Sequence, residues 1–222
     1  MELYDAMRTT FAAREYTGEQ INDDIIYEIL ENARFAPSGG NRQGNRVIII
    51  RDLDTRNEIV KLLEPAAKRY HAQVLAGESP WNSINPTKTT AEEIGATAAP
   101  TRLMEPYKTA SVLLAVVVDL QVVASTDQYL DRVGVISGAS IYPFVWNILM
   151  AARQAGFGGT ITTLAAAEEP TIQKLLHIPK EHAVCALLPL GKPVKQLTKL
   201  KRLPVEDIAT LEYFDGPAFS KP

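Results

Sequence analysis

One apolar run constrains the fold of this chain more than any other feature. Residues 111–119 read Ser-Val-Leu-Leu-Ala-Val-Val-Val-Asp, with seven apolar residues in succession. A strand with one face in water alternates apolar and polar residues, whereas a strand buried on both faces is apolar throughout. The run therefore predicts a central strand of a sheet that is covered on both sides. A second apolar run, Ala183 to Leu190, ends at Gly191 and Pro193 and predicts the last central strand.

Helices are predicted where apolar residues recur at helical spacing. We expect a first helix over residues 2–14, a second that Asn22 caps, and a long third helix that Asp54 caps. Residues 134–155 are apolar on nearly all sides and predict a further helix, which Pro143 either kinks or begins. Strands and helices that alternate around a sheet indicate an α/β or α+β fold.

The bulk composition is that of an ordinary globular protein. The 222 residues are 46% hydrophobic and 22% charged, which is enough for one large domain or two small ones. No Gly/Ser-rich linker divides the chain, so we expect a single domain over residues 1–222. A net charge of -3 gives no electrostatic reason to expect nucleic acid or an anionic membrane surface as a partner.

The sequence indicates neither a metal site nor a secretory signal. The three histidines lack the spacing of zinc ligands, and the single Cys185 lies in an apolar run that is typical of a buried thiol. The N-terminus is acidic and has no apolar core, and no apolar run approaches membrane-spanning length. We therefore expect a soluble, cytoplasmic protein.

A loop over residues 35–43 connects the second predicted helix to the apolar run 47–50. Its proline and two adjacent glycines cannot continue a helix cheaply, so the backbone must turn there. A hydroxyl, two amides and a guanidinium share this compact loop, on Ser38, Asn41, Gln43 and Arg42. Two interpretations stay open, namely an ordinary polar turn and a binding loop for a polar, phosphorylated ligand.

Two further segments lack a regular pattern. Residues 77–106 contain Trp81 and several prolines, so they form either a lid-like insertion or a disordered surface excursion. The tail, 195–222, begins with basic residues and ends with aromatic ones such as Tyr213 and Phe214. Aromatic side chains are unusual on a free chain end, so we expect this arm to dock against the core or a neighbouring molecule.

Three stretches in order resemble the nitroreductase family of FMN-dependent oxidoreductases. Residues 10–16 are similar to the family's N-terminal basic segment, and residues 36–43 are close to its Ala-Pro-Ser-x-x-Asn-x-Gln loop. The third stretch, 155–160, follows the apolar helix and is accompanied by Leu-Gly-Lys-Pro at 190–193 and Arg-Leu-Pro at 202–204. The agreement extends from about Arg8 to Ile208, and the Pro-Ser loop is its most specific part.

The resemblance implies a fold, a cofactor and a set of binding residues. The fold would be α+β, with three layers, a central and mainly antiparallel sheet flanked by helices, and an intertwined homodimer. The cofactor would be FMN, with NAD(P)H as co-substrate. The resemblance assigns the FMN phosphate to Arg14 and Arg202. It assigns the ribityl chain, the ring edge and the surroundings of the reactive N5 to Pro37, Ser38, Gly39, Asn41, Gln43, Gly158, Gly159 and Thr160.

Three departures from the family pattern fall on the predicted phosphate contacts. Thr10 and Ala12 stand where the family usually has an arginine and a serine, and Leu200 stands where a second tail cation is common. Arg8 is a possible substitute for the first loss. Without the resemblance, an arginine such as Arg14 or Arg202 is more often a solvated surface charge.

The expected chemistry follows from the cofactor, because a flavin carries the hydride itself and needs few catalytic side chains. No catalytic side chain is predicted, and no Gly-x-Gly-x-x-Gly loop is present. The resemblance implies reduction of nitroaromatics, quinones or similar flat small-molecule acceptors by a ping-pong reaction. The alternatives are a dehalogenase, a flavin-destroying enzyme or a small-metabolite dehydrogenase of the same fold, and a flavin-storing protein with little turnover.

Overall fold

The computed structural model describes residues 1–221, which form seven α-helices and four strands. In chain order they are α1 (Leu3–Thr9), α2 (Asp23–Ala33), β1 (Asn45–Ile50), α3 (Leu53–Leu75), α4 (Ala91–Ala96), α5 (Thr101–Thr109), β2 (Val112–Asp119), α6 (Tyr142–Gln154), β3 (Gly158–Gly159), α7 (Glu169–Leu175) and β4 (His182–Gly191).

The four strands form one antiparallel sheet in the order β1-β2-β4-β3. The central strands are β2 and β4, as the two apolar runs predict. One end of β2, at Val118, pairs with Asn45 of β1 and Ala183 of β4. The other end, at Leu113, pairs with Ile50 and Pro189. These two ends of the sheet carry different parts of the predicted site.

Burial on both faces explains why β2 is apolar throughout. Leu114 and Val118 pack with α2 and α6 in one core, whereas Leu113 and Val117 pack with α3, α5 and α7 in the other. Successive side chains of a strand point to opposite faces, so a three-layer fold needs apolar residues at every position. Removing one fully buried Leu side chain from such a core costs about 2–5 kcal/mol. The predicted three-layer α+β fold with an antiparallel sheet is confirmed.

Helix bounds differ from the sequence prediction in three places. Helix α1 ends at Thr9 instead of residue 14, because Ala12 instead forms a bridge with Gly159 of the sheet. Helix α3 is capped by Asp52, whose side chain accepts a hydrogen bond from Thr55 N at 2.7 Å, and not by Asp54. Helix α6 begins at Tyr142, with Pro143 in its first turn, so residues 134–141 lie outside it. The Asn22 cap is confirmed, since its Oδ1 accepts from Ile25 N at 2.9 Å.

The predicted loop 77–106 contains more regular structure than its sequence indicates. Residues 91–96 form α4, and residues from 101 onward form α5, where Met104 and Pro106 are buried. Residues 77–90 and 97–100 of this segment lack a helix or strand. Glu78 organises this part, because its carboxylate accepts from Thr87 Oγ1 at 2.6 Å and from Lys88 N at 2.7 Å.

The tail crosses the surface as a small hairpin over residues 209–219. Leu211 N donates to Pro217 O at 2.9 Å, and Phe219 N donates to Ala209 O at the same distance. The Phe214 side chain between these contacts is fully exposed. Within the described part of the chain, no helix is both long and apolar enough to cross a membrane. Residues 1–221 also bring together no group of acidic, His or Cys side chains that could hold a metal ion.

Candidate functional site

The Pro-Ser loop is a left-handed turn held by its own side chains. A single 3-10 turn, Gly39–Asn41, follows Ser38. Gly40, Asn41 and Gln43 all have positive φ, at 61°, 53° and 51°. Ser38 Oγ accepts a hydrogen bond from Gln43 N at 3.0 Å and closes the turn. Non-glycine residues in this region cost free energy, and such strain concentrates at functional sites.

Ser140, just ahead of α6, fastens this loop to the rest of the chain. Gly39 N donates to Ser140 Oγ and Asn45 Nδ2 donates to Ser140 O, both at 3.0 Å. Among the contacts of residues 1–221, the Ser38 hydroxyl and Asn41 Nδ2 donate no hydrogen bond to the protein. The loop therefore presents two polar donors, in a fixed backbone, to a ligand.

The segment that carries Arg14 is fastened to the opposite end of the sheet. Ala13 N donates to Gly159 O at 2.9 Å. The Tyr16 hydroxyl lies 2.8 Å from Ala13 O and 2.9 Å from Pro189 O. These contacts fix the backbone on both sides of Arg14, which is half-buried.

Three cations border one cavity of about 210 Å³ beside this segment. They are Arg14, Arg102 from α5 and Lys195 from the start of the tail. Burial lowers the pKa of Arg14, and the charge of Arg102 lowers it further. Glu15 also borders the cavity, but in the described structure none of the three cations forms an ion pair with a carboxylate. The cavity therefore offers three positive charges, none of which is in an ion pair with a carboxylate of the described structure.

Arg202 does not border the cavity at Arg14. Arg202 is exposed, and its guanidinium donates to the neighbouring carbonyl of Lys201 at 2.7 Å. Arg8 also lies elsewhere, with its guanidinium 5.7 Å from the centre of the Tyr4 ring. Thr10 is buried and donates to Ala6 O at 2.7 Å, so its hydroxyl is directed at α1.

Gly158 and Gly159 are required by packing inside the chain. A Cβ at Gly159 would lie 2.4 Å from Leu190 Cδ2 and 2.5 Å from Pro189 O. A Cβ at Gly158 would lie 3.1 Å from Pro193 Cγ. Both glycines thus allow the close approach of β3 to β4 and the following turn, a reason that is independent of any ligand.

Thr160, unlike the two glycines, borders a cavity that Arg14 also borders. It is buried and borders a second small cavity, of about 30 Å³, together with Arg14 and Tyr107. The Tyr107 hydroxyl bonds to Thr162 Oγ1, and burial raises its pKa to about 12. Tyr107 therefore stays protonated at neutral pH and can hold a hydrogen bond in this wall.

The predicted binding residues form two groups at opposite ends of the sheet. The Pro-Ser loop lies at the Val118 end, since Gly44 O accepts from Asp119 N at 3.0 Å. The Arg14 segment lies at the Leu113 end, next to Pro189. Leu113 and Val118 are five residues apart, or ~17 Å at the usual rise of a strand. One chain therefore does not bring Ser38 and Arg14 together.

Arg102 and Lys195 are site residues that sequence reasoning missed. Neither lies in a motif, and they approach Arg14 only because α5 and the tail fold beside it. The one signal in the sequence is the basic start of the tail, which contains no acid between Lys195 and Arg202.

Known proteins resemble this chain over almost its full length. Iodotyrosine deiodinase from Nematostella vectensis is 25% identical over 214 residues, which cover 95% of this chain and 75% of that protein. The structure of an iodotyrosine deiodinase bound to FMN and 3-iodo-L-tyrosine superposes with a TM-score of 0.69 at 22% identity, covering 96% of this chain and all of that one. The structure of an NADPH:FMN oxidoreductase from Vibrio harveyi, complexed with NAD+, superposes with a TM-score of 0.66 at 16% identity, covering 96% of this chain and 77% of that one.

These structural matches have less than 25% identity, so each supports the fold alone. The model of the Nitroreductase family matches residues 7–192, a range that includes both the Pro-Ser loop and Arg14. The chain therefore belongs to the nitroreductase family.

Proposed function

We propose that this protein is an FMN-dependent oxidoreductase that uses NAD(P)H to reduce flat acceptors such as nitroaromatics or quinones. The observation that carries the proposal is the cavity at Arg14, where three cations outnumber one carboxylate and none forms an ion pair in the described structure. A phosphate monoester carries a charge near -2 and needs this kind of environment. Family membership supplies the second line of support.

The residues present fit FMN at both of its ends. Arg14 would neutralise the phosphate. The Ser38 hydroxyl and Asn41 Nδ2 are donors on a fixed loop and would bind the ribityl chain or the polar ring edge. When bound, FMN would supply hydride transfer between NAD(P)H and the acceptor.

The protein's own residues would orient and enclose the reactants instead of transferring protons. Tyr107 stays protonated because burial raises its pKa, so it would act as a fixed hydrogen-bonding wall beside Thr160. Cys185 is buried, and its pKa is raised to about 12, so a thiolate nucleophile has no role. Protons for the reduced acceptor would come from solvent.

The proposal includes a homodimer with two sites at the subunit boundary. Ser38 and Arg14 lie at opposite ends of one sheet, so a second copy would supply the loop that completes each site. Exposed aromatic residues support such an interface, with Tyr27 at 72% exposure and Phe214 fully exposed.

Reductive dehalogenation of an aromatic acceptor is the second candidate. It is favoured because the curated relatives include iodotyrosine deiodinases at 25% and 23% identity. The two candidates share the cofactor and differ in the acceptor. A flavin-storing protein would bind FMN in the same way but would oxidise NAD(P)H slowly.

The absorbance spectrum of the freshly purified protein tests the proposal directly. We expect flavin bands that bleach when NADPH or NADH is added without oxygen and return with a quinone, a nitroaromatic or a halogenated tyrosine. Initial-rate plots at several acceptor concentrations should be parallel, as in a ping-pong reaction. A colourless protein that takes up no FMN contradicts the proposal, and a yellow protein that NAD(P)H cannot bleach indicates storage.

A further inference from the structure

We infer that Arg102 and Lys195, together with Arg14, form the anion site that holds the phosphate of FMN in this chain. The inference rests on the proposed function and names side chains that neither the family pattern nor Arg202 supplies. All three cations border the same cavity of about 210 Å³. They come from three separate parts of the fold, namely the segment after α1, the first turn of α5 and the start of the tail.

The electrostatics of this cluster favour an anion. Arg14 is half-buried, whereas Arg102 and Lys195 are exposed, and burial followed by the nearby charge of Arg102 lowers the pKa of Arg14. Two guanidinium groups repel each other unless a shared anion lies between them, because like charges in a partly desolvated site raise the free energy. In the described structure the cluster has no carboxylate in an ion pair to serve that purpose. A dianionic phosphate would remove the repulsion and would accept forked hydrogen bonds from both arginines.

The size of the cavity selects one part of the cofactor. A volume of about 210 Å³ corresponds to about seven water molecules at ~30 Å³ each. That space accommodates a phosphate group and the end of its chain but not a whole flavin nucleotide. The small cavity at Thr160 and Tyr107 also borders Arg14.

The assignment also accounts for the departures in sequence. The family's usual cation and hydroxyl are replaced by Thr10, whose hydroxyl is bonded to Ala6 O, and by Ala12, which has no polar side chain. Arg102 and Lys195 restore positive charge to the cavity from other elements. Arg202, the residue that the motif suggests, does not border it.

The decisive measurement is the discrimination between FMN and riboflavin, which differ only by the phosphate. Apo-protein is titrated with each flavin, and binding is followed by flavin fluorescence. We expect Arg102→Ala and Lys195→Ala each to weaken FMN about tenfold to a hundredfold, the usual effect of losing a hydrogen bond to a charged group. Riboflavin affinity should not change, and Arg102→Lys should recover part of the loss. Lys108→Ala, an exposed lysine in the last turn of α5, is the matched control and should bind both flavins like the parent.

The other possible outcomes contradict either the assignment of the FMN phosphate or the proposed function. If Arg102→Ala binds FMN like the parent, or weakens both flavins equally, the assignment is wrong. If it instead raises the KM for NADPH relative to NADH while FMN affinity is kept, the cluster binds the 2′-phosphate of the co-substrate and the assignment is again wrong. A parent that binds neither flavin contradicts the proposed function. The anion site is then tested with inorganic phosphate, whose phosphorus NMR line should broaden with the parent but not with Arg102→Ala, and equal broadening overturns it.

Discussion

Adding a single methyl group at Gly159 should lower the stability of the whole fold. Its Cβ would lie 2.5 Å from the Pro189 carbonyl, and backbone cannot move aside cheaply. We expect Gly159→Ala to lower the free energy of unfolding by about 1–3 kcal/mol, as overpacking does. Gly95→Ala in α4 is the control, because nothing lies within 4 Å of its Cβ position. That change should be neutral or stabilise by up to about 1 kcal/mol. Urea denaturation of both variants measures the two effects. Equal losses of unfolding free energy in Gly159→Ala and Gly95→Ala would contradict the packing argument.

Asp127 should make the stability of the loop 125–136 depend on pH. Its buried carboxylate accepts from Val135 N at 2.7 Å and from Arg132 Nη1 at 2.8 Å, and chiefly the Val135 N–H lowers its pKa to about 2. A carboxylate with a lowered pKa stabilises the folded state above its usual pKa of about 4. That contribution is lost as the pH falls through the folded pKa.

The test compares Asp127→Asn with the parent between pH 6 and pH 2. We expect the variant to unfold at lower urea concentration at pH 6, and we expect the difference to shrink as the pH falls from about 4 towards 2. Asp131→Asn, on the same loop but exposed, should unfold like the parent throughout. If the difference in unfolding urea concentration between Asp127→Asn and the parent does not change with pH, the substitution acts through side-chain geometry and not through charge.

Helices and strands with a continuous sequence pattern could be predicted, whereas those with an interrupted pattern could not. The strands β2 and β4 could be predicted because burial on both faces leaves an unbroken apolar run. Helix α5 could not, because Pro100 and Pro106 interrupt the pattern, while Pro106 in fact lies buried inside the helix. The range predicted for the apolar helix, 134–155, begins too early because Val135 and Ile136 are apolar yet exposed, at 64% and 41%.

The candidate site likewise contains residues that the sequence could predict and residues that it could not. Ser38 and Asn41 are close together in the sequence, so a motif could identify their loop and a turn could be expected from its glycines. Arg102 and Lys195 reach Arg14 only through tertiary folding, and no local pattern records that approach.

The lid predicted over residues 77–106 stays a prediction, and its part without regular structure, residues 77–90, can be tested apart from α5. Glu78 ties it to Thr87 and Lys88, and Trp81 lies over Arg69 with 4.2 Å between guanidinium and ring centre. We expect replacement of residues 79–86 by Gly-Ser-Gly to leave FMN content unchanged and to alter the relative rates with a quinone, a nitroaromatic and a halotyrosine, since closing loops select acceptors. Steady-state rates with the fully flavinated variant check this, and unchanged ratios would reject the lid in favour of a plain surface loop.

For the whole molecule, the exposed apolar surface predicts a stable dimer. Leu3 and Met7 of α1 and Tyr27 of α2 are all at least half exposed. Obligate interfaces commonly bury about 2,000–5,000 Å² and are more apolar than the rest of the surface. Sedimentation equilibrium at micromolar concentration should therefore give the mass of two chains, and an FMN-loaded monomer would contradict the proposal.

The separation of Ser38 and Arg14 within one chain leads to the sharpest test of how the site is assembled. If each site takes Arg14 from one copy and the Pro-Ser loop from the other, then Arg14→Ala and Asn41→Ala damage different halves of both sites in their own homodimers. A mixed dimer with one chain of each kind would have one site with both defects and one intact site, as two-fold symmetry requires. We expect co-expressed, differently tagged variants to yield mixed dimers that bind FMN tightly at one of two sites, while each homodimer binds weakly. Differently tagged Arg14→Ala chains are the control and should regain no tight site. Mixed dimers without a tight site would place both halves of the binding surface within a single chain.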